Sequence, residues 1–164
     1  MRFGGIVYRA LNPVWVADPL SGEGARRFGG RFNPKGMAAL YTTLDPVTAL
    51  REVSQVGQPL QPTLLISFRA DVDPVFDACD AGLLAAQGLT QADLAADDWR
   101  VRPDPAGQVL ARNLCAQGYA GLLGPSYARM AAAGARNLVL WRWTPASLCL
   151  IDDDARLAGS ITPT

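Results

Sequence analysis

The side chains best suited to chemistry lie between Tyr8 and Glu52: Tyr8-Arg9, then Gly29-Gly30-Arg31-Phe32-Asn33, then Tyr41, then Thr48-Ala49-Leu50-Arg51-Glu52. Glycines just ahead of an arginine allow close backbone approach to a ligand. The arginine offers a planar fork of donors suited to phosphate oxygens, and a tyrosine gives a flat face for an aromatic ligand. A lone carboxylate beside them can stabilise positive charge growing on a sugar carbon as its bond breaks. These parts together suit a nucleotide–sugar bond that breaks by dissociation. NAD+ carries such a bond: its pyrophosphate needs cations, its nicotinamide a flat face, and its ribose a carboxylate near the 2′-hydroxyl and C1′. Nicotinamide leaves as a neutral group, so the scheme needs no histidine acid.

That matters because the 164 residues contain no histidine. Ser-His-Asp triads, Cys-His dyads and HExxH zinc sites are excluded. Cys79, Cys115 and Cys149 are odd in number and far apart, which argues against a zinc knuckle or a disulfide framework; they are expected to be small buried hydrophobes in a reducing compartment. Neither a phosphate-binding P-loop nor a strand-borne GxGxxG motif occurs. Of fifteen basic residues only Lys35 is lysine, and of fifteen acidic ones only Glu23 and Glu52 are glutamate. Net charge is zero, so neither nucleic acid nor an anionic membrane is the expected partner. Apolar runs are too short for a bilayer span, and Met1-Arg2-Phe3-Gly4-Gly5 lacks the apolar core of a signal peptide. The expectation is a single soluble, cytoplasmic domain.

Several elements must position the candidates. Ile6–Arg9 reads as a strand, followed by a long Gly-, Pro- and Arg-rich loop from Ala10 to Gly36, of a length that is often functional. Ala38–Thr42 reads as a buried strand ending near Tyr41. A helix follows, capped by Asp45, with Pro46 at its first position, running to Val56. Its expected apolar face is Ala49, Leu50, Val53 and Val56, with Glu52 on the border of that face. Thr63–Phe68 is a strand, and Thr90 with Asp93 forms a capping box. Asp104-Pro105 opens a helix that runs to Gln117 and stops at Gly118. Tyr119–Leu123, Asn137–Trp143 and Leu148–Ile151 read as strands, the second with Val139, Trp141 and Trp143 on one face. Strands and helices mix without regular alternation, which predicts an α+β fold.

The same pattern, continued by Gly118-Tyr119 and Pro125-Ser126, resembles the RES-domain family, named for an arginine, a glutamate and a serine. The likeness runs from about Ile6 to Trp143, and its most specific part is the Gly-Gly-Arg-Phe-Asn block with a glutamate about twenty residues later. The family commonly has tryptophan where Phe32 stands. The resemblance implies an ADP-ribosyltransferase-like α+β fold with mixed, mainly antiparallel sheets and flanking helices. Residues 1–151 would form one NAD+-consuming domain and 152–164 a C-terminal tail. It implies a toxin of an Xre–RES toxin–antitoxin pair that cleaves the nicotinamide–ribose bond and passes ADP-ribose to water, phosphate or a protein. By the same resemblance Glu52 would be the catalytic carboxylate, Arg31 would hold phosphate or ribose, and Tyr41 would contact the nicotinamide ribose or ring. Ser126 would complete the pocket, with Arg9, Tyr8, Gly30 and Asn33 as further NAD+-binding residues. No metal is implied. The implied partners are a cognate Xre-like antitoxin and a protein acceptor of ADP-ribose, and a homodimer fits the type.

Plainer readings exist for each residue. Glu52 on a helix border is a solvated charge, and Arg31 pairs with Asp45 or Glu23. Tyr41 is core packing with a tethered hydroxyl, and Ser126 stabilises a turn. Lys35 between Pro34 and Gly36 is exposed, Trp141 and Trp143 are core, and Asp152-Asp153-Asp154 is solvated. Two other functions compete with NAD+ cleavage: a non-catalytic nucleotide- or partner-binding module, and a glycosidase pairing Glu52 with Asp18 or Asp45.

Overall fold

The computed structural model describes residues 1–54, 59, 61–128 and 131–157. Seven strands make one sheet: β1 (Phe3–Leu11), β2 (Leu40–Thr43), β3 (Leu64–Val72), β4 (Val75–Asp77), β5 (Gly121–Pro125), β6 (Arg136–Leu140) and β7 (Leu148–Leu150). Their order is β4-β5-β6-β2-β1-β3-β7, with every neighbouring pair antiparallel except the parallel β4–β5. Five α-helices accompany it: α1 (Glu23–Phe28), α2 (Pro46–Val53), α3 (Ala81–Ala86), α4 (Gln91–Ala95) and α5 (Ala106–Ala116). The fold is α+β, as the mixing of elements predicts, and mostly antiparallel, as the resemblance implies.

Strand β6 shows how the sheet is held. Leu138 and Leu140 join one core cluster with Val7, Leu40 and Phe68, while Val139 joins a second with Phe32, Leu110, Leu114 and Leu122. Successive side chains on a strand point to opposite faces, so β6 is buried on both. The expected alternation, with Val139 on one face and Leu138 and Leu140 on the other, does not extend to Trp143: the strand stops at Leu140, after which Trp141 and Trp143 pack against different clusters. Their indole N–H groups donate to Phe32 O (2.8 Å) and Leu20 O (3.1 Å).

The seam between β1 and β2 positions the site. β1 pairs with β3 along nine residues, but with β2 through Tyr8 and Thr43 alone. Beyond that pair the strands diverge, and Arg9, Ala10, Tyr41 and Thr42 line the gap.

Other expectations are corrected. The stretch from Ala10 to Gly36 is not a bare loop: it holds a 3-10 turn at Pro13–Trp15 and helix α1. Glu23 at the N-terminal end of α1 pairs with Arg26 and Arg27 at its C-terminal end (2.7 and 2.6 Å), an arrangement that complements the helix dipole. The bonds from these arginines hold the Glu23 carboxyl down to about 2. Flanking glycines hide this short helix from periodicity. In α2 the buried residues are Thr48 and Ala49, and Val53 is 40% exposed, because the helix leans on its first turn; Val56 lies outside the described residues. Cys79 and Cys149 are exposed rather than core residues. Strand β4 and helix α3 fall between Phe68 and Thr90, where the sequence reading assigns no element. No helix among the described residues is long and apolar enough to cross a membrane.

Candidate active site

Glu52 is set by a helix whose start is written locally. Asp45 Oδ1 accepts from Thr48 N (2.9 Å), and Pro46 fills the first turn, where no N–H is needed. Thr48 Oγ1 also donates to Asp45 Oδ2, and that bond, with the one from Thr48 N, lowers the Asp45 pKa from its ordinary value. One turn beyond Thr48, Glu52 reaches across to the β5–β6 end of the sheet. Its Oε1 accepts from Ser126 Oγ (2.7 Å), just past β5, and from Asn137 Nδ2 (2.6 Å) on β6. Ser126 is itself fixed, its N–H donating to Ala135 O (2.8 Å). Both donors use the same carboxylate oxygen; among the described residues Oε2 takes no hydrogen bond. With Nδ2 committed to Glu52, Asn137 Oδ1 is a buried acceptor without a partner among the described residues.

The Gly-Gly-Arg-Phe-Asn block is a tight turn. Gly30 N donates to Asn33 O (2.8 Å), leaving Arg31 and Phe32 at the tip, and Gly29 takes a φ of 72°. Tyr41 Oη donates to Asn33 Oδ1 (2.7 Å) and accepts from Phe32 N (3.0 Å). A side chain at residue 30 would collide with the Tyr41 hydroxyl and Asn33 Oδ1, so glycine is required there by the protein's own packing. Fully buried Asn33 donates to Ala25 O (2.8 Å) and Met37 O (2.9 Å), so its polar atoms are consumed inside the protein. Helix α5 clamps the turn: Gln108 Nε2 donates to Gly30 O (2.9 Å), and a Cβ on Gly107 would meet Arg31 O at 2.5 Å.

Arg31 pairs with neither Asp45 nor Glu23. Its Nη1 donates to Leu94 O (2.8 Å) and Ala96 O (2.7 Å), its Nη2 to the exposed Asp97 (3.1 Å), and its guanidinium lies 4.6 Å from the Tyr127 ring centre. The side chain is only 13% exposed. Burial pushes the Tyr127 hydroxyl up to about 12, and that of Tyr41 well above the usual phenol range, so both stay neutral donors.

A cleft of about 700 Å³ is lined by Arg9, Arg31, Tyr41, Glu52, Tyr127 and Asn137. A second cavity of about 260 Å³, at the strand seam, is lined by Tyr8, Arg9, Tyr41, Thr43, Glu52 and Asn137. Glu52 therefore stands in the wall common to both, with Arg9, Tyr41 and Asn137. Arg9 Nη1 donates to Pro19 O (2.8 Å) and Ser21 O (3.2 Å); burial lowers its pKa, and Asp18 opposes that shift. Arginine remains a cation in proteins regardless.

The structure thus brings Tyr8, Arg9, Gly30, Arg31, Tyr41 and Glu52 to two adjoining cavities, with Ser126 bonded to Glu52. Asn33 lies beneath them rather than in them. Neither carboxylate of the two-acid alternative joins Glu52: Asp45 is spent as the cap, and Asp18 lines neither cavity. Asn137, Tyr127 and Asp97 were missed. Asn137 carried a readable signal, a polar residue two positions from Val139 and so on the same strand face; Tyr127 and Asp97 sit in irregular segments with none. No group of three or more His, Cys, Asp or Glu side chains among the described residues is placed to hold a metal ion.

A family model described as RES domain matches residues 6–158. The protein named NAD(+) phosphorylase MbcT, from Mycobacterium tuberculosis, is 36% identical over 92 residues, covering 50% of this chain and 50% of its own. The Mycobacterium bovis protein of the same name matches equally. The chain spans about half the length of these curated relatives. The crystal structure of the M. tuberculosis MbcT–MbcA toxin–antitoxin complex superposes with a TM-score of 0.67 at 26% identity, covering 93% of this chain and 84% of that one.

Proposed function

The chain belongs to the RES domain family, and from that premise we propose that it is an NAD+-consuming toxin that breaks the nicotinamide–ribose bond. The observation that carries the reading is the Glu52 carboxylate: it lines both cavities, one oxygen is held by Ser126 and Asn137, and the other takes no hydrogen bond among the described residues. In this role Oε2 accepts from the ribose 2′-hydroxyl and faces the positive charge that grows on C1′. The C1′–N bond pair leaves with nicotinamide, which is neutral and needs no acid. An oxygen nucleophile then forms the new C1′–O bond. Inorganic phosphate is the acceptor supported by the relatives' printed name, giving a phosphorylated ADP-ribose; water and a protein side chain are the other outcomes. Tyr41, a neutral phenol anchored in the turn, offers its ring as a wall for the nicotinamide riboside. Arg9 supplies a cation on the wall that the two cavities share.

An Xre-like antitoxin is proposed as the partner, supported by likeness to a toxin solved with its antitoxin. The test is mass spectrometry of NAD+ incubated with pure protein in buffer, in phosphate and with lysate. Nicotinamide release is expected, with phosphorolysis when phosphate is present. Glu52→Gln should lower turnover by about 10²-fold or more while the melting temperature holds. Full turnover in the folded variant, or tight NAD+ binding with no product over hours, would reject the assignment; the second result favours a binding module.

A further inference from the structure

Beside the cleft runs a groove of about 490 Å³ formed by Phe28, Lys35, Trp99, Arg100, Arg102 and Gln108, with Gly29 at its floor. Gly29, Trp99 and Arg100 also line the cleft, so the two hollows are continuous. Three of the groove's side chains are cations and none is an acid. Among the described residues, neither Lys35 nor Arg100 is in an ion pair, and Arg102 reaches Asp98 only at 3.4 Å. A protein of zero net charge has thus gathered three cations on one wall and paired only one of them among the described residues. Two aromatic rings accompany them. Phe28 is 75% exposed at the end of α1, so its ring face is accessible from the groove side it lines. Trp99 carries the Arg100 guanidinium at 4.9 Å from its ring centre.

In the cleft the two arginines nearest the turn and the seam are largely held by the protein itself. Arg31 has both donors of Nη1 on backbone carbonyls and Nη2 on Asp97, which leaves little for a diphosphate. Arg9 also lines the cleft, but its Nη1 is on two carbonyls. Among the described residues the cleft cations outside any ion pair include Arg51 and Arg100, and Arg100 with Lys35 carries that charge on into the adjoining groove.

We propose that this groove is the subsite for the adenylate half of the dinucleotide, with Lys35, Arg100 and Arg102 on anionic oxygens and Phe28 and Trp99 against the adenine. The inference rests on the NAD+ reading. It makes the groove a determinant of substrate size: a mononucleotide with the same scissile bond reaches Glu52 but leaves the groove empty.

The experiment compares kcat and KM for NAD+ and for nicotinamide mononucleotide in the wild type, Lys35→Ala, Arg100→Ala and Phe28→Ala, all exposed or half-exposed sites expected to fold. Each cation variant should raise KM for NAD+ about tenfold, the size of a charge-assisted contact, with kcat nearly unchanged. Activity on the mononucleotide should not move, and the salt dependence of kcat/KM for NAD+ should weaken. Equal losses on both substrates, or no loss on NAD+, would overturn the proposal. So would an unchanged KM together with escape from the antitoxin, which would make the groove a protein interface. If the wild type cleaves neither substrate, the NAD+ reading fails. Calorimetry with ADP still decides the groove, since binding should be present in the wild type and weakened in the variants.

Discussion

At the residue scale, the catalytic assignment comes down to which atoms of Glu52 are occupied. Ser126 and Asn137 both spend their donors on Oε1, which holds one end of the carboxylate and leaves Oε2 without a hydrogen bond among the described residues. Neither residue needs to touch the reacting carbon to matter, because misplacing a reactive group by about 1 Å costs about 10²-fold. Ser126→Ala and Asn137→Ala should each lower kcat by about 10- to 100-fold with little change in KM or melting temperature. A change confined to KM would make them substrate-binding residues instead. The Gly-Gly-Arg-Phe-Asn block teaches a different lesson. Its glycines and asparagine invite a ligand-binding reading, yet Gly30 makes room for Tyr41 and Asn33 ties the turn to Ala25 and Met37. Composition alone cannot separate a turn that holds a ligand from one that holds its own tyrosine.

At the scale of elements, helix α2 has the plainest sequence logic and the most exposed weakness. An aspartate cap, a proline in the first turn and a buried threonine and alanine suffice to start it. Its eight residues are short for an isolated helix, so the cap and the packing against β1 and β2 must carry it. Replacing the cap, Asp45→Ala, should cost about 1 kcal/mol and lower activity by loosening Glu52. The cap also predicts acid sensitivity. The folded-state pKa of Asp45 lies below its ordinary 3.8, so its stabilisation is complete above that value and is lost as pH falls through the lower, folded value. Chemical denaturation from pH 6 downward should show this loss in the wild type and a smaller loss in Asp45→Asn, where the cap no longer titrates. Identical slopes would remove Asp45 from the acid response. Helix α5, by contrast, lacks a side-chain cap and gains its place by clamping the Arg31 turn through Gly107 and Gln108.

For the whole molecule, strand order is what converts scattered residues into a site. Glu52 bonds to partners 74 and 85 positions away, and they meet because β2 lies between β6 and β1. The single Tyr8–Thr43 pair between β1 and β2 leaves a gap beside α2, and both cavities reach Glu52 there. The rigidity that keeps this gap in shape comes from β6, sandwiched between two cores. Leu138→Ala should therefore destabilise by about 2–5 kcal/mol, as for other fully buried leucines, and reduce activity only in proportion to the unfolded fraction. A much smaller loss of stability would show that the β6 cores are not what holds the seam.

The sequence by itself settled what is local: the Asp45 cap, the Thr90–Asp93 capping box and the α+β mixture. Caps and periodicity act over three or four residues, so a single chain displays them. It also held the family pattern, spread over nearly its whole length. Only the tertiary structure decided that Asn137 shares Glu52 with Ser126, that Arg31 is turned onto backbone carbonyls, and that Lys35, Arg100 and Arg102 gather in one groove. Those outcomes depend on strand order and on which backbone groups are left without partners after the sheet closes, neither of which is encoded at any one position.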